Sequence, residues 1–268
     1  MPKAELISSA ANPLIKEVRR AIVRGGLTSE GWCVAETFHL LEEALRSDRE
    51  VQAVLAAESV RSTVEAHVKR LAGIRVAVLP DALFQSISGT EASQGVIALV
   101  KPPVWTLEQL FRGQPLVVVL DGLQDPGNAG AIVRAAEAFG ATGVLFLKGS
   151  AGPHNPKTLR ASAGSLFRVP YLTGLDNTRA RAALQQNRVE LYAGVPAANR
   201  PQARPIADVD LTARCALIVG SEARGVSREL RSAALDVSIP TVGVESLNAA
   251  TAAAILLYEA RRQRALRG

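Results

Sequence analysis

The sequence predicts a two-domain α/β protein, a smaller N-terminal α/β unit followed by a larger unit built on a parallel sheet. Three observations carry this prediction. Short apolar runs alternate with segments of helical spacing along nearly all of the 268 residues, the pattern of α/β folds. Lys101-Pro102-Pro103 interrupts the alternation, because neither a helix interior nor a central strand accommodates two consecutive prolines. Beyond it, residues 116–120 are apolar at every position, as in a strand covered on both faces.

In the first hundred residues, Asn12-Pro13 opens a helix with Leu14, Ile15 and Val18 on one side and Lys16, Arg19 and Arg20 among its polar positions. Residues 32–35 read as a strand, 38–45 as a helix, 51–56 as a strand and 60–71 as a helix. A strand at 74–79, a short helix opening at Asp81 and a strand at 95–100 complete the unit. Domain limits follow as 1–100, a linker over 101–114, and 115–268. In the larger domain, strands are expected at 116–120, 143–147, 190–194 and 215–219. Helices are expected at 131–139, 158–166, 179–186 and 246–267, and residues 121–130 read as a Gly/Pro/Asn-rich loop.

Composition narrows the function classes. Hydrophobic residues make up 48% of the chain, enough for a packed core. No apolar run approaches the length needed to cross a bilayer, and no cationic segment followed by an apolar stretch opens the chain, so a cytoplasmic protein is expected. Cys33 and Cys215 are too few for a disulfide framework, and with three scattered histidines they give no metal-ligand spacing. The first hundred residues hold 11 basic and 12 acidic residues, whereas the rest hold 20 basic and 13 acidic. Between Lys148 and Arg204 the only acids are Asp176 and Glu190, a balance that suits either a polyanion partner or ordinary solubility.

Three loops carry the candidate chemistry, each after an extended run, where open parallel sheets bind ligands. The first is Asp121-Gly-Leu-Gln-Asp-Pro-Gly-Asn128-Ala-Gly130, running into a helix with Arg134 expected near its start. The second is Gly220-Ser-Glu222-Ala-Arg-Gly225. The third runs from Ile239-Pro240 to Ser246-Leu247-Asn248, where Ser246 alone reads as a helix N-cap. None is a P-loop or a dinucleotide fingerprint, which argues against a nucleotide-dependent enzyme of Rossmann type.

Asn128, Gly130 and Arg134, then Gly220, Glu222 and Gly225, then Ile239, Pro240, Ser246, Leu247 and Asn248 occur in the order and spacing of three motifs. On these the chain resembles the SpoU/TrmH ribose 2′-O-methyltransferases of the SPOUT class. Asn155-Pro156-Lys157 to Arg160-Ala-Ser-Ala-Gly164 also resembles that family, and the first hundred residues resemble a ribosomal-protein-like RNA-binding domain often fused to it. The resemblance implies a C-terminal trefoil-knotted parallel-sheet domain, S-adenosylmethionine as cofactor and a homodimer with the last helix in its interface. It further implies cofactor contacts near Ala193, Gly194, Val219, Gly220, Gly225, Ile239 and Leu247. Arg134 would act at the reacting ribose, with Asn128, Glu222, Ser246 and Asn248 positioning groups around it. Lys16, Lys157, Arg160 and Arg168 would meet RNA, and no metal is required. Ribosomal RNA is the expected substrate, with transfer RNA, or a non-catalytic role in ribosome assembly, as the alternatives.

Overall fold

The computed structural model describes residues 4–69, 74–200 and 202–267, which divide into two compact units. In chain order the first contains β1 (Glu5–Leu6), α1 (Pro13–Arg24), β2 (Cys33–Glu36), α2 (Phe38–Arg46), β3 (Val51–Ala57), α3 (Arg61–Val68), β4 (Arg75–Leu79), α4 (Asp81–Gln85) and β5 (Val96–Val100). The end of the helix expected over 60–71 lies outside the described residues. The sheet order is β1-β4-β3-β5-β2, with β5 antiparallel to both neighbours and the other pairs parallel. Asn12 caps α1, Pro13 occupies its first turn, and Gly25 ends it at φ 64°. The apolar face of α1 puts Ile15, Val18 and Ala21 into the core with Val34, Leu55, Leu79 and Ile97.

The second unit begins inside the stretch expected to be a linker, at Trp105. Thr106 and Gln109 form a capping box that starts α5 (Leu107–Leu110), and Leu110 and Phe111 enter the core. There follow β6 (Leu116–Asp121), α6 (Pro126–Ala138) and β7 (Gly143–Phe146). Next comes α7 (Pro156–Ala161), which belongs to the first unit together with the rest of His154–Arg168. The second unit resumes with β8 (Tyr171–Thr173), α8 (Asn177–Gln186), β9 (Glu190–Gly194), β10 (Arg204–Pro205), β11 (Cys215–Gly220), α9 (Arg228–Arg231), β12 (Leu235–Ser238) and α10 (Ala249–Ala265). Its sheet runs β10-β12-β9-β11-β6-β7-β8, every pair parallel. Buried Cys33 and Cys215 are kept protonated by burial, which raises their thiols to about 12 and about 11. Among the described residues no helix is long and apolar enough to cross a membrane.

Ion pairs explain why His154–Arg168 joins the first unit, against the expectation that 115–268 form one domain. Glu36, at the end of β2, is only 2% exposed. It accepts hydrogen bonds from Ser88 Oγ, the Gly89 amide, Thr90 Oγ1 and Ser93 Oγ, and Arg160 Nη1 lies 3.4 Å from it. Arg168 Nη1 donates to Glu43 Oε2 at 2.6 Å and to Ser47 Oγ at 3.2 Å. Gly164 permits the approach, since its φ is +89° and a Cβ there would lie 2.5 Å from the Glu43 Cβ. Arg160 and Arg168, expected to meet RNA, are thus engaged by carboxylates of this unit, while Lys157 is exposed.

A pH prediction follows from Glu43. Burial pushes its carboxyl up, but Arg168, with smaller contributions from His39 and Arg46, outweighs burial and holds it below its usual value of 4.5. A lowered folded-state value contributes stability above pH 4.5 that is lost as the pH falls through the folded value. Arg168→Met is therefore expected to be less stable than wild type at pH 7, with the gap closing toward pH 3. Parallel urea-unfolding curves across that range would show it. A gap independent of pH would remove Glu43 as the cause.

Candidate active site

The carboxyl ends of β6, β9, β11 and β12 lie together, with Gly220 in register with Asp121, Ile218 with Ala193 and Val237 with Gly194. Of these, β6, β11 and β12 leave the sheet through the three segments singled out in the sequence. After β6, Asp125 accepts from the Asn128 amide at 2.6 Å and Pro126 takes the first helical position, so α6 starts at Pro126. Asn128 therefore lies in a first helical turn, not in the expected loop, and Arg134 sits two turns into the helix rather than near its start.

After β11 the chain folds back tightly. The Gly225 amide donates to the Ser221 carbonyl at 2.8 Å and the Ser221 amide donates to the Gly225 carbonyl at 3.2 Å. A Cβ on Gly220 would lie 2.1 to 2.4 Å from backbone atoms of Gly225 and Val226, so only glycine fits. The turn carries Glu222 at its tip. After β12, the N-cap of α10 is Asn248, not Ser246: Asn248 Oδ1 accepts from the amides of Ala250 at 2.9 Å and Thr251 at 3.2 Å.

The three segments meet in one chain of hydrogen bonds. Asn128 Nδ2 donates to Glu222 Oε1 at 3.0 Å, and Asn248 Nδ2 donates to Asn128 Oδ1 at 3.0 Å. Its polarity is fixed from one end. An ionised carboxylate only accepts, so Asn128 must present its NH2 to Glu222 and its oxygen to Asn248. Asn248 then has its oxygen left for the helix amides. The start of α10 and the tip of the Gly220–Gly225 turn are thereby held against α6.

Glu222 and Asn248 border a cleft of about 620 Å³. Gly194, Val219, Gly220, Gly225, Ile239 and Leu247, for which the resemblance implies cofactor contacts, line it together with Ser246. Ala193 does not line it; it is buried in β9. Arg134 does not line it either. It is exposed on α6 and makes no hydrogen bond or ion pair among the described residues. Charge at the rim is partly settled, because Arg231 forms a two-pronged bond with Asp236, its Nε 2.9 Å from Oδ1. No group of three or more His, Cys, Asp and Glu able to hold a metal occurs among the described residues.

Two features escaped the sequence reading. Buried Asp121 accepts from the Ser227 amide at 2.7 Å and from Asn177 Nδ2 at 3.1 Å, bracing β6 against the chain that follows the Gly225 turn. An aspartate closing an apolar strand was the available signal. Leu256 of the last helix is buried and lines the cleft, where a Cβ on Gly194 would lie 3.2 Å from it. Its neighbours Ile255 and Tyr258 remain exposed.

Comparison with known proteins bears directly on this arrangement. Residues 115–258 match the SpoU rRNA Methylase family, a span that holds every residue of the hydrogen-bonded chain. The chain belongs to the SpoU rRNA methylase family. Ahead of this SpoU region, residues 12–98 match the MRM3-like substrate binding domain. A 23S rRNA (guanosine(2553)-2′-O)-methyltransferase, RlmP, of Bacillus subtilis is 31% identical over 262 residues, covering 95% of this chain and 98% of its own. A 23S rRNA (uridine(2479)-2′-O)-methyltransferase of Streptomyces viridochromogenes is 34% identical over 197 residues, 71% of this chain and 68% of its own. The crystal structure of the SpoU methyltransferase AviRb from Streptomyces viridochromogenes, in complex with the cofactor AdoMet, superposes with a TM-score of 0.83. It is 26% identical and covers 95% of this chain and 98% of that one. The SpoU match thus covers the cleft, and the relatives named for guanosine and uridine leave the base open.

Proposed function

We propose that this chain is an S-adenosylmethionine-dependent methyltransferase acting on a ribose 2′-hydroxyl of ribosomal RNA. The observation that carries this is the Glu222–Asn128–Asn248 chain at the border of a glycine-lined cleft. The cleft's volume is within the usual range of roughly 300–1,000 Å³ for small-molecule sites. Its apolar walls, Val219, Ile239, Leu247 and Leu256, suit an adenosyl group, and bare backbone at Gly194 and Gly220 lets a ligand approach closely. Bound S-adenosylmethionine supplies a methyl group activated by a sulfonium. The protein's part is to place the hydroxyl in line with that methyl and to manage its proton. Asn128 and Asn248 hold the rim in one geometry, and Ser246 and Glu222 offer polar groups beside it.

Arg134 acts at the RNA. An arginine stays protonated, so it serves by holding phosphate and hydroxyl together and not by taking the proton itself. The protein works as a homodimer through the exposed Ile255 and Tyr258 of α10, follows the trefoil-knotted path of its family, and acts in the cytoplasm on ribosomal RNA. Methyl transfer from labelled cofactor to 23S ribosomal RNA, with mapping of the new 2′-O-methyl group, tests the proposal. Transfer to transfer RNA alone would redirect the substrate, and transfer to neither would sink the activity.

The two tasks of Asn248 separate by substitution. Asn248→Asp keeps the oxygen that caps α10 but turns a second carboxylate oxygen on Asn128 Oδ1. Turnover is expected to fall about tenfold, the effect of about 1.4 kcal/mol, with thermal stability near wild type. Asn248→Ala is expected to lose turnover and also about 1 kcal/mol of stability with the cap. Equal turnover in wild type and Asn248→Asp would reduce Asn248 to a helix cap.

A further inference from the structure

We infer that Asp121 is a positioning residue for methyl transfer: it fixes the exit of the Gly220–Gly225 turn so that Glu222 meets Asn128. The inference rests on the methyltransferase reading, and adds a side chain that does not line the cleft and is not among the motif residues that carry the family resemblance. Asp121 ends β6 and lies in register with Gly220, the last residue of β11. It is 6% exposed. Burying a carboxylate is costly unless its oxygens are satisfied, and here each oxygen faces a donor. Oδ2 accepts from the Ser227 amide at 2.7 Å, and Oδ1 accepts from Asn177 Nδ2 at 3.1 Å. Asn177 Nδ2 also donates to Ser227 Oγ at 2.6 Å. Ser227 is the N-cap of α9, yet its side chain makes no capping bond. A serine at that position commonly serves its own helix, whereas this one serves Asn177. The three residues thus form a closed triangle that joins the end of β6, the exit of the turn and the start of α8.

The triangle is the second of two straps between the same pair of segments. Asp121 and Asn128 stand at the two ends of the connection from β6 into α6. Glu222 and Ser227 stand at the tip and the exit of the chain that follows β11. Asn128 holds Glu222 at 3.0 Å, and Asp121 holds Ser227. The bonds between Ser221 and Gly225, and from the Arg224 amide to Ser221 Oγ at 3.0 Å, give the turn its shape but tie it to neither β6 nor α6. Its placement therefore depends on the two straps together, and freeing the exit gives Glu222 room to leave Asn128. Val226, between the turn and Ser227, is buried in the core, so the expected consequence is a shifted turn and not a lost fold.

Two substitutions of Asp121 differ in what they leave behind. Asp121→Leu removes both acceptors at similar size. Asp121→Asn does not break the triangle. The Ser227 amide is a fixed donor and takes the new amide oxygen, while the new NH2 faces Asn177. Asn177 can turn its own oxygen toward it, and the Ser227 hydroxyl then donates where it had accepted.

The test is single-turnover methyl transfer by the full chain to a transcript of 23S ribosomal RNA, well below the melting temperature of every variant. Asp121→Leu is expected to slow the rate about tenfold, and Asp121→Asn by less than about twofold. In a Glu222→Ala background, Asp121→Leu is expected to slow the residual rate by less than about twofold, because the side chain it positions is gone. Should Asp121→Leu fail to fold, Asn177→Asp takes its place. Two carboxylates then face each other in the triangle, so the rate is expected to fall, and Asp121→Asn/Asn177→Asp is expected to restore it. A tenfold loss repeated in the Glu222→Ala background overturns the link to Glu222. Wild-type rates in Asp121→Leu or in Asn177→Asp reduce the triangle to a brace of the fold. Absence of methyl transfer by the wild type overturns the proposed function and the inference with it.

Discussion

Arg134→Ala is expected to lower the single-turnover rate of methyl transfer on the order of 10²-fold or more, the scale of losing a group that assists proton transfer. Cofactor affinity should stay near wild type, because Arg134 does not line the cleft. Stability should change little. The side chain is exposed and makes no hydrogen bond or ion pair among the described residues, so its truncation removes no packing partner. That lack of internal engagement is what a residue reserved for an external partner would show, and equally what a plain surface arginine would show. Arg134→Lys separates the two. It keeps the charge but loses the planar fork able to hold phosphate and hydroxyl at once, so it should recover little of the rate. Saturating RNA and cofactor in a single turnover remove binding and release from the comparison. Near-wild-type rates for Arg134→Ala would leave the reaction without its proposed central side chain.

Gly220→Ala is the second large effect. Its Cβ would fall 2.1 Å from the Gly225 carbonyl carbon and 2.2 Å from the Val226 nitrogen, distances that backbone must move to relieve. The resemblance implies a cofactor contact at Gly220, so added bulk there would crowd the ligand. The structure gives an earlier cause: the turn could not close on itself, and Glu222, carried at its tip, would leave Asn128. Loss of cofactor affinity of at least 10²-fold is expected, with a stability loss of about 1–3 kcal/mol typical of overpacking. Gly225→Ala is the matched comparison. At Gly225 φ is +67° but no atom lies within 4 Å of a Cβ, so only backbone strain of about 1 kcal/mol is added. Calorimetric titration and thermal melts of both variants suffice. Similar behaviour of the two would mean that the crowding at Gly220 relaxes without cost.

What was legible in the sequence depended on local physics. The strands at 116–120 and 215–219 announce themselves because a parallel strand covered on both faces has no polar position to obscure it. The short strands Tyr171–Thr173 and Leu235–Ser238 passed unnoticed, since three or four residues carry too little alternation to stand out. The start of α6 was read late because Gly127 and Asn128 resemble loop residues, while the Asp125 cap and Pro126 were the better signals. Asn248 was placed inside a helix that it in fact begins, for Ser246 is an equally good cap by residue type.

The sequence by itself determined the alternation of strands and helices, the break near Lys101-Pro102-Pro103, and the three segments from which Asn128, Glu222 and Asn248 come. Those follow from periodicity, from proline's missing amide and from residue spacing, all of which act within a few residues. Only the tertiary structure decided that these three side chains form one polar chain, since the bonds join residues 94 and 120 positions apart. It also decided that Arg160 and Arg168 pair with Glu36 and Glu43, although the resemblance implied that they would meet RNA. A carboxylate as buried as Glu36 needs a cation and hydrogen-bond donors wherever the fold can deliver them, and no local pattern reveals which distant arginine will arrive.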